Sequence, residues 1–242
     1  MQRKPLLCAN WKMFRPPDGW DATDSPYRSQ ARADIVIFPT HLHITKCIKA
    51  KMLVGAQYGR PEPEGAFTGD VSMQMLKAQG CSYALCGHSE RRQNHGETDI
   101  FIAEQIIAAL EAGLHPILCI GETKEEYDKG KTQSILKRQL SPVSMINSLP
   151  AVLSSVVSIA YEPVWAIGSG INALPADIQN IHTFIRSLLP EQSQKSTRIL
   201  YGGSVNELNA SGFLAHEDID GLLVGACSLE VEKFTEIMRS IS

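Results

Sequence analysis

The chain has 242 residues, 43% of them hydrophobic, and this length is sufficient to bury one large core. A formal charge of -3 and a pI near 6.2 give no basic surface for nucleic acid or an anionic membrane, so neither partner is expected. The six cysteines are scattered, without a Cys-x-x-Cys pair or zinc-site histidine spacing, which predicts reduced core thiols, no metal and a cytoplasmic protein.

Short apolar segments recur along the chain and predict eight β-strands. They span residues 5–9, 35–38, 53–56, 82–86, 116–120, 156–161, 198–201 and 221–225. Amphipathic segments predict helices at 97–113, 174–189, 206–215 and 229–241. This alternation indicates an α/β protein, a parallel (β/α)8 barrel in one domain covering residues 1–242. The competing architecture, a doubly wound open sheet, lacks its Gly-x-Gly-x-x-Gly signature after the first strand.

The segment between the first two strands departs from this pattern. Residues 14–33 should hold the first barrel helix, but prolines at 16, 17 and 26 interrupt them. The large apolar side chains of the segment are Phe14, Trp20 and Tyr27. We therefore expect a short or broken first helix, packed by its aromatic residues.

Polar side chains collect where the predicted strands end. Asn10 and Lys12 follow the first strand, His88 and Glu90 follow the fourth, and Glu162 follows the sixth. Taken singly, these residues have ordinary explanations: a solvated lysine, a hydrogen-bonded core histidine, an exposed loop carboxylate. Because the carboxyl ends of barrel strands meet at one mouth, however, all five side chains are expected to converge there.

Two segments rich in small residues follow the last two strands. They are YGGSV at 201–205 and VGACS at 224–228, and their backbone N–H groups can approach an anion closely. Loops after strands seven and eight are the usual phosphate site of a barrel. A loop that contains two glycines, 164–173, begins two residues after Glu162. The sequence therefore predicts a phosphate pocket beside a lysine, a histidine and a glutamate.

These segments give the chain a resemblance to the triosephosphate isomerase family over nearly its whole length. The matching motifs stand in the family's order: ANWKM (9–13), GAFTGD (65–70), GHSERR (87–92), LCIGE (118–122), AYEPVWAIGSG (160–170), YGGSV (201–205) and GLLVGACSL (221–229). The resemblance implies an enzyme of glycolysis and gluconeogenesis that interconverts dihydroxyacetone phosphate and D-glyceraldehyde 3-phosphate through an enediolate. It also implies that no metal or organic cofactor is needed.

The resemblance assigns a role to each polar residue at the strand ends. Glu162 would remove the carbon proton, and His88 would act as the electrophile, a neutral imidazole bonded to the substrate oxygens. Lys12 would supply positive charge beside the phosphate and the enediolate. Asn10 would orient the oxygens, and Glu90 would hold the lysine in place.

The resemblance also implies a phosphate cradle, a lid and a partner subunit. The lid would be the loop 164–173, with Ile167 covering the base and the N–H of Gly168 reaching the phosphate. The cradle would be completed by Ser204, Gly225 and Ala226. Thr68 lies in the segment that inserts into a partner subunit in this family, which implies a homodimer.

Two positions depart from the family pattern. The family usually has two glycines where this chain has Gly225-Ala226. An alanine would be strained by about 1 kcal/mol if that position required a positive φ. The far hinge of the lid, Ile171-Asn172-Ala173, replaces a basic residue and a threonine, which predicts altered lid kinetics.

Two other classes of protein remain open at this point. A different phosphate-binding barrel isomerase, acting on aminoaldose phosphates, would share the cradle but not Lys12, His88 and Glu162 together. A non-catalytic barrel kept for binding would be marked by the loss of one of these three residues. The chain retains all three, which favours the triose phosphate reaction.

Overall fold

The computed structural model describes residues 3–141, 157–167 and 173–241. The strands are β1 (Leu6–Asn10), β2 (Asp34–Phe38), β3 (Gly55–Ala56), β4 (Tyr83–Cys86), β5 (His115–Ile120), β6 (Ser158–Tyr161), β7 (Ile199–Tyr201) and β8 (Gly221–Val224). Each predicted strand is confirmed to within two residues at either end, although residue 156, the predicted start of the sixth strand, lies outside the described residues.

The helices of the described residues lie between these strands, except the last helix, which follows β8. They are α1 (Ile44–Lys49), α2 (Met73–Gln79), α3 (Ser89–His95), α4 (Asp99–Glu111), α5 (Lys124–Asp128), α6 (Thr132–Gln139), α7 (Pro175–Ser187), α8 (Glu191–Gln194), α9 (Ala210–Leu214) and α10 (Val231–Arg239). Short 3₁₀ turns occupy His41–His43, Val164–Ala166 and Ala226–Leu229. The four predicted helices are confirmed in shorter form as α4, α7, α9 and α10. Among the described helices, none combines the length and hydrophobicity needed to cross a bilayer.

The strands form one parallel sheet that closes on itself. Neighbours follow the order β2-β1-β8-β7-β6-β5-β4-β3. Between β2 and β3, Ile37 bridges to Val54 and donates its N–H to the carbonyl of Leu53 at 3.0 Å. The predicted (β/α)8 barrel is therefore confirmed, and the carboxyl ends of its strands share one mouth.

Alternation along the strands creates two apolar layers. In β1, Leu6 and Cys8 belong to an inner cluster, whereas Leu7 and Ala9 belong to the larger cluster packed against the helices. The buried members of the inner cluster all come from strands: Leu6, Cys8, Val36, Phe38, Tyr83, Leu85, Ile117, Cys119, Ala160, Leu200 and Leu223. A parallel strand buried on both faces needs such a continuous apolar run, which is why the strands were recognisable in the sequence.

The first β/α unit differs from the expectation. Residues 11–33 form successive turns, and no helix is present among them. The prolines in this segment remove helical N–H donors, and Gly19 adopts a positive φ of 79°. A short or broken helix was predicted here, and the turns replace it entirely.

Aromatic side chains supply the packing that a first helix would have provided. Trp20 and Tyr27 are buried and meet the ring of Trp11 edge-on, with centroid distances of 5.9 and 5.4 Å. Tyr27 also stacks on Phe234 of α10 at 4.8 Å. The predicted aromatic packing is thus confirmed for Trp20 and Tyr27, whereas Phe14 is 57% exposed.

Candidate active site

The predicted site residues converge on a cavity of about 450 Å³ at the mouth of the barrel. Its lining includes Asn10, Lys12, His88, Glu162, Ser204, Gly225 and Ala226. Seven of the residues predicted from the sequence therefore line one cavity. Glu90 joins them through its contact with Lys12, and Gly168 lies outside the described residues.

Glu162 is anchored at the end of β6 by both its backbone and its carboxylate. Its N–H donates to the carbonyl of Ile120 at 2.7 Å. The side chain is only 2% exposed, and Oε2 accepts the N–H of Ser89 at 2.8 Å. Ser89 is the first residue of α3, so the partial positive charge of that helix end stabilises the buried carboxylate.

Two glycines make the room that Glu162 occupies. A Cβ atom on Gly121 would lie 1.8 Å from the carbonyl oxygen of Glu162, and one on Gly202 would lie 3.0 Å from its Cγ. A side chain at Gly121 would therefore displace the backbone that carries the carboxylate. These two contacts explain why the strand ends on either side of β6 are followed by glycine.

The hydrogen bonds of His88 determine which ring nitrogen carries the proton. Nδ1 accepts the N–H of Glu90 at 3.3 Å, so in the neutral ring the proton is on Nε2. Nε2–H donates to Oε1 of Glu162, 3.1 Å away. Nδ2 of Asn10 lies 3.3 Å from Nε2, but both nitrogens are donors in this tautomer, so this contact is not a hydrogen bond. The imidazole therefore presents a donor N–H to the cavity, beside the buried carboxylate.

Lys12 is held at the mouth by a strained backbone and a salt bridge. Its φ is +49°, a left-handed conformation that costs an L-residue about 1–2 kcal/mol. Its N–H donates to Oδ1 of Asn10 at 3.1 Å, and its carbonyl accepts from Gln57 at 2.7 Å. Nζ lies 2.6 Å from Oε1 of Glu90. Strand geometry ends at Asn10, yet both Asn10 and Lys12 reach the cavity.

The predicted phosphate cradle opens between β7 and β8. Within the described residues, positive φ occurs outside glycine only at Lys12 and Lys51. Ala226 therefore needs no left-handed conformation, and it begins the 3₁₀ turn Ala226–Leu229. Ser228 closes this turn by donating from its N–H and its hydroxyl to the carbonyl of Gly225, at 2.8 and 2.7 Å.

The described start of the loop after β6, which was predicted to be a lid, is tied to a buried carboxylate. Val164–Ala166 form a 3₁₀ turn, in which Trp165 donates to Oε1 of Glu122 at 2.9 Å. The hydroxyl of Tyr161 donates to the same carboxylate at 3.1 Å, and burial raises the pKa of Glu122. Residues 168–172 of the lid, including Ile171 and Asn172 of its far hinge, lie outside the described residues.

Comparison with known proteins establishes the family. The sequence model of the triosephosphate isomerase family matches residues 5–241. The chain belongs to the triosephosphate isomerase family. Proteins named triosephosphate isomerase from Coxiella burnetii (strain RSA 331 / Henzerling II) and Aquifex aeolicus (strain VF5) are 40% and 42% identical to it. These alignments cover 98% and 97% of this chain and 97% and 98% of the relatives. One from Lawsonia intracellularis (strain PHE/MN1-00) is 42% identical over 98% of each chain.

Membership of the triosephosphate isomerase family makes the chain an isomerase, and the structure adds three residues to the site. Ser89 binds the carboxylate of Glu162, Gln57 holds the carbonyl of Lys12, and Glu122 accepts a hydrogen bond from Trp165 in the loop after β6. None of the three was predicted from the sequence. Gln57 directly follows β3, and Glu122 follows β5 by two residues. Polar residues just after a strand were predicted to lie at the barrel mouth, so the same criterion applied to β3 and β5 would have identified these two.

Proposed function

We propose that the chain interconverts dihydroxyacetone phosphate and D-glyceraldehyde 3-phosphate with Glu162 as the base and His88 as the electrophile. One observation carries this assignment: a buried carboxylate oxygen lies 3.1 Å from a donor imidazole nitrogen at the barrel mouth. Moving a proton between adjacent carbons needs a base at the C–H bond and a donor at the carbonyl oxygen. Both groups face the cavity that also holds Lys12.

The proposed reaction passes through an enediolate. Glu162 takes the proton from the carbon next to the carbonyl, while Nε2–H of His88 donates to the carbonyl oxygen. Lys12 stabilises the negative charge that develops on the oxygens, and Asn10 orients them. His88 then shuttles the proton of the neighbouring hydroxyl to the former carbonyl oxygen, and the proton on Glu162 returns to the former carbonyl carbon, which completes the isomerisation. A glutamate base beside a neutral histidine is the established arrangement of this enzyme family, and the distances are consistent with it.

The hydrogen bond from the N–H of Ser89 holds the carboxylate of Glu162 at the end of β6 before substrate binds. In this proposal, substrate draws the carboxylate towards the carbon acid and away from Ser89. The lid then excludes water from the reacting groups.

The phosphate of the substrate binds at the loops after β7 and β8. We assign it to Ser204, Gly225 and Ala226, which line the cavity, and to the N–H of Gly168. Lys12 supplies the cationic partner. The carbonyl group acidifies the adjacent C–H bond, so the proposal includes no metal or organic cofactor.

We further propose that the active unit is a homodimer. A second cavity of about 560 Å³ borders the site and is lined by Lys12, His88, Glu90 and the 92%-exposed Met13. The loop 63–70, which contains Thr68, is exposed along its whole length. In the proposed dimer the loop of one subunit fills this cavity of the other. We place the enzyme in the cytoplasm, with triose phosphates as its small-molecule partners and neither nucleic acid nor membrane.

A coupled assay tests the proposed reaction. Purified protein is given D-glyceraldehyde 3-phosphate, and dihydroxyacetone phosphate is followed by its NADH-dependent reduction with an auxiliary dehydrogenase. We expect product formation in proportion to enzyme concentration. An aminoaldose phosphate serves as the comparison substrate. Turnover of that sugar, with none of the triose phosphate, would favour the other barrel isomerases.

A further inference from the structure

The guanidinium of Arg92 joins the ends of two strands beside the proposed site. Arg92 lies in the last turn of α3, and its side chain is 16% exposed. Nε donates to the carbonyl of Gly87 at 2.8 Å, and Nη2 donates to the carbonyl of Cys119 at 3.1 Å. One side chain therefore connects the loop after β4 with β5.

Each of these carbonyls adjoins a group of the proposed chemistry. The carbonyl of Gly87 belongs to the peptide that leads into His88, so a hydrogen bond to it fixes the plane of that peptide. Cys119 precedes Ile120, whose carbonyl accepts the N–H of Glu162 at 2.7 Å. Arg92 thus holds the backbone next to both His88 and Glu162.

Asp99 fixes the orientation of the guanidinium. Its Oδ1 accepts from Nη1 of Arg92 at 2.6 Å, and its Oδ2 lies 3.1 Å from Nε of Arg138. Asp99 begins α4, where a carboxylate is favoured by the helix dipole. The planar fork of an arginine can serve two carbonyls and a carboxylate together, which the compact ammonium of a lysine cannot do.

Gly87 permits the close approach of Arg92. Its φ is +73°, and a Cβ atom there would lie 3.0 Å from Nη2 of Arg92 and 2.7 Å from Cδ1 of Ile102. A residue other than glycine would be strained and would also push the guanidinium away. The glycine before His88 is therefore part of the same arrangement.

We infer that Arg92 is a positioning residue for His88 and Glu162, an inference that rests on the proposed function. Arg92 lines a separate cavity of about 410 Å³ that borders Glu162, so it acts through the backbone rather than on the substrate. The phosphate loops follow β7 and β8, away from its hydrogen bonds. Loss of the fork therefore misplaces the reacting groups but leaves phosphate binding intact, which lowers kcat and leaves KM nearly unchanged.

The test compares Arg92→Lys with Arg138→Gln. Arg92→Lys keeps the charge but loses the fork, and we expect kcat to fall about tenfold or more with KM changed by less than about twofold. Arg138→Gln is the matched control. Its side chain is 57% exposed and pairs with the same Asp99, but it is bonded to neither carbonyl. We expect the control to keep wild-type kcat and KM.

Chemical rescue separates positioning from general stabilisation. In Arg92→Ala, guanidinium chloride at about 10–50 mM should restore part of kcat by occupying the vacated space, whereas sodium chloride at equal ionic strength should not. If Arg92→Ala does not fold, the comparison of Arg92→Lys with its control decides.

Two outcomes would overturn this inference without overturning the proposed function. One is that the wild type is active and Arg92→Lys keeps the full wild-type kcat, even if the melting temperature of the variant falls. The other is a folded, impaired Arg92→Ala that guanidinium does not restore. A wild type without isomerase activity would instead overturn the proposed function, and this inference with it.

Discussion

At the scale of single residues, position along the strands predicted more than residue type did. Asn10, Lys12, His88 and Glu162 were expected at one mouth because each follows a strand, and all four line one cavity. The left-handed φ of Lys12 was not predictable, because a lysine carries no sequence signal for it. The tautomer of His88 depends on the backbone N–H of Glu90, which only the three-dimensional structure brings to Nδ1.

Ala226 tests whether the second family glycine is needed in this cradle. Its φ is not positive, so Ala226→Gly relieves no strain. We expect glycine to destabilise the fold by about 0.5–1 kcal/mol through the entropy of the unfolded chain, with affinity for phosphate unchanged.

Denaturant unfolding and the inhibition constant of a phosphate-bearing substrate analogue measure these two effects for Ala226→Gly. Wild-type protein is the reference in both. A clear gain in affinity on adding glycine would show that the alanine restrains the cradle.

At the scale of secondary-structure elements, composition predicted that the first β/α unit departs from the barrel pattern, but it did not predict the turns that replace the helix. The prolines among residues 14–33 predicted a short or broken first helix, and the segment forms turns instead. Trp11 could not be assigned from the sequence, because its indole donates to the carbonyl of Ser228 at 3.0 Å, more than 200 positions away. Tyr27 donates to the same carbonyl at 2.8 Å. Long-range contacts of this kind decide which aromatic residues are buried.

The exposed loop that contains Thr68 tests the proposed dimer. Replacing residues 65–70 with a short glycine linker should give a monomer with reduced kcat, because the partner loop is expected to brace Lys12 and His88. Sedimentation velocity and the coupled assay measure the two effects. Thr68→Ser is the matched control and should remain dimeric. A wild-type monomer with full activity would contradict the proposed dimer.

At the scale of the whole molecule, eight buried strands were enough to predict the barrel. The registers and the closing bridge between Ile37 and Val54 were not predictable, because they depend on contacts between distant segments. Which polar side chains are buried was also not predictable from the sequence. His182 is fully buried, donates from Nδ1 to the carbonyl of Asp218 at 3.1 Å, and packs edge-on against Tyr161.

The burial of His182 predicts a dependence of stability on pH. Burial lowers the pKa of His182 from 6.5 to about 4, and within the described part of the chain its Nε2 has no hydrogen-bond partner. Between these two values the unfolded chain binds the proton and the folded protein does not. Stability therefore falls as pH drops from 6.5 to 4, by about 3 kcal/mol from this residue.

His182→Gln removes this contribution while keeping a side-chain donor for the carbonyl of Asp218. Denaturant unfolding at pH 7 and at pH 4 measures the difference between wild type and variant. Glu122 has a raised pKa and acts in the opposite direction, but it is present in both proteins and cancels. Equal pH slopes for the two proteins would show that His182 titrates normally in the folded state.

The central claim is that Glu162 is the base, and the kcat of Glu162→Asp tests it most directly. Shortening the side chain by one methylene withdraws the carboxylate from the carbon acid while keeping its charge. We expect kcat to fall about 10²-fold in the coupled assay, with the melting temperature close to that of wild type. A folded Glu162→Asp enzyme with nearly full kcat would contradict the claim and require another base at the barrel mouth.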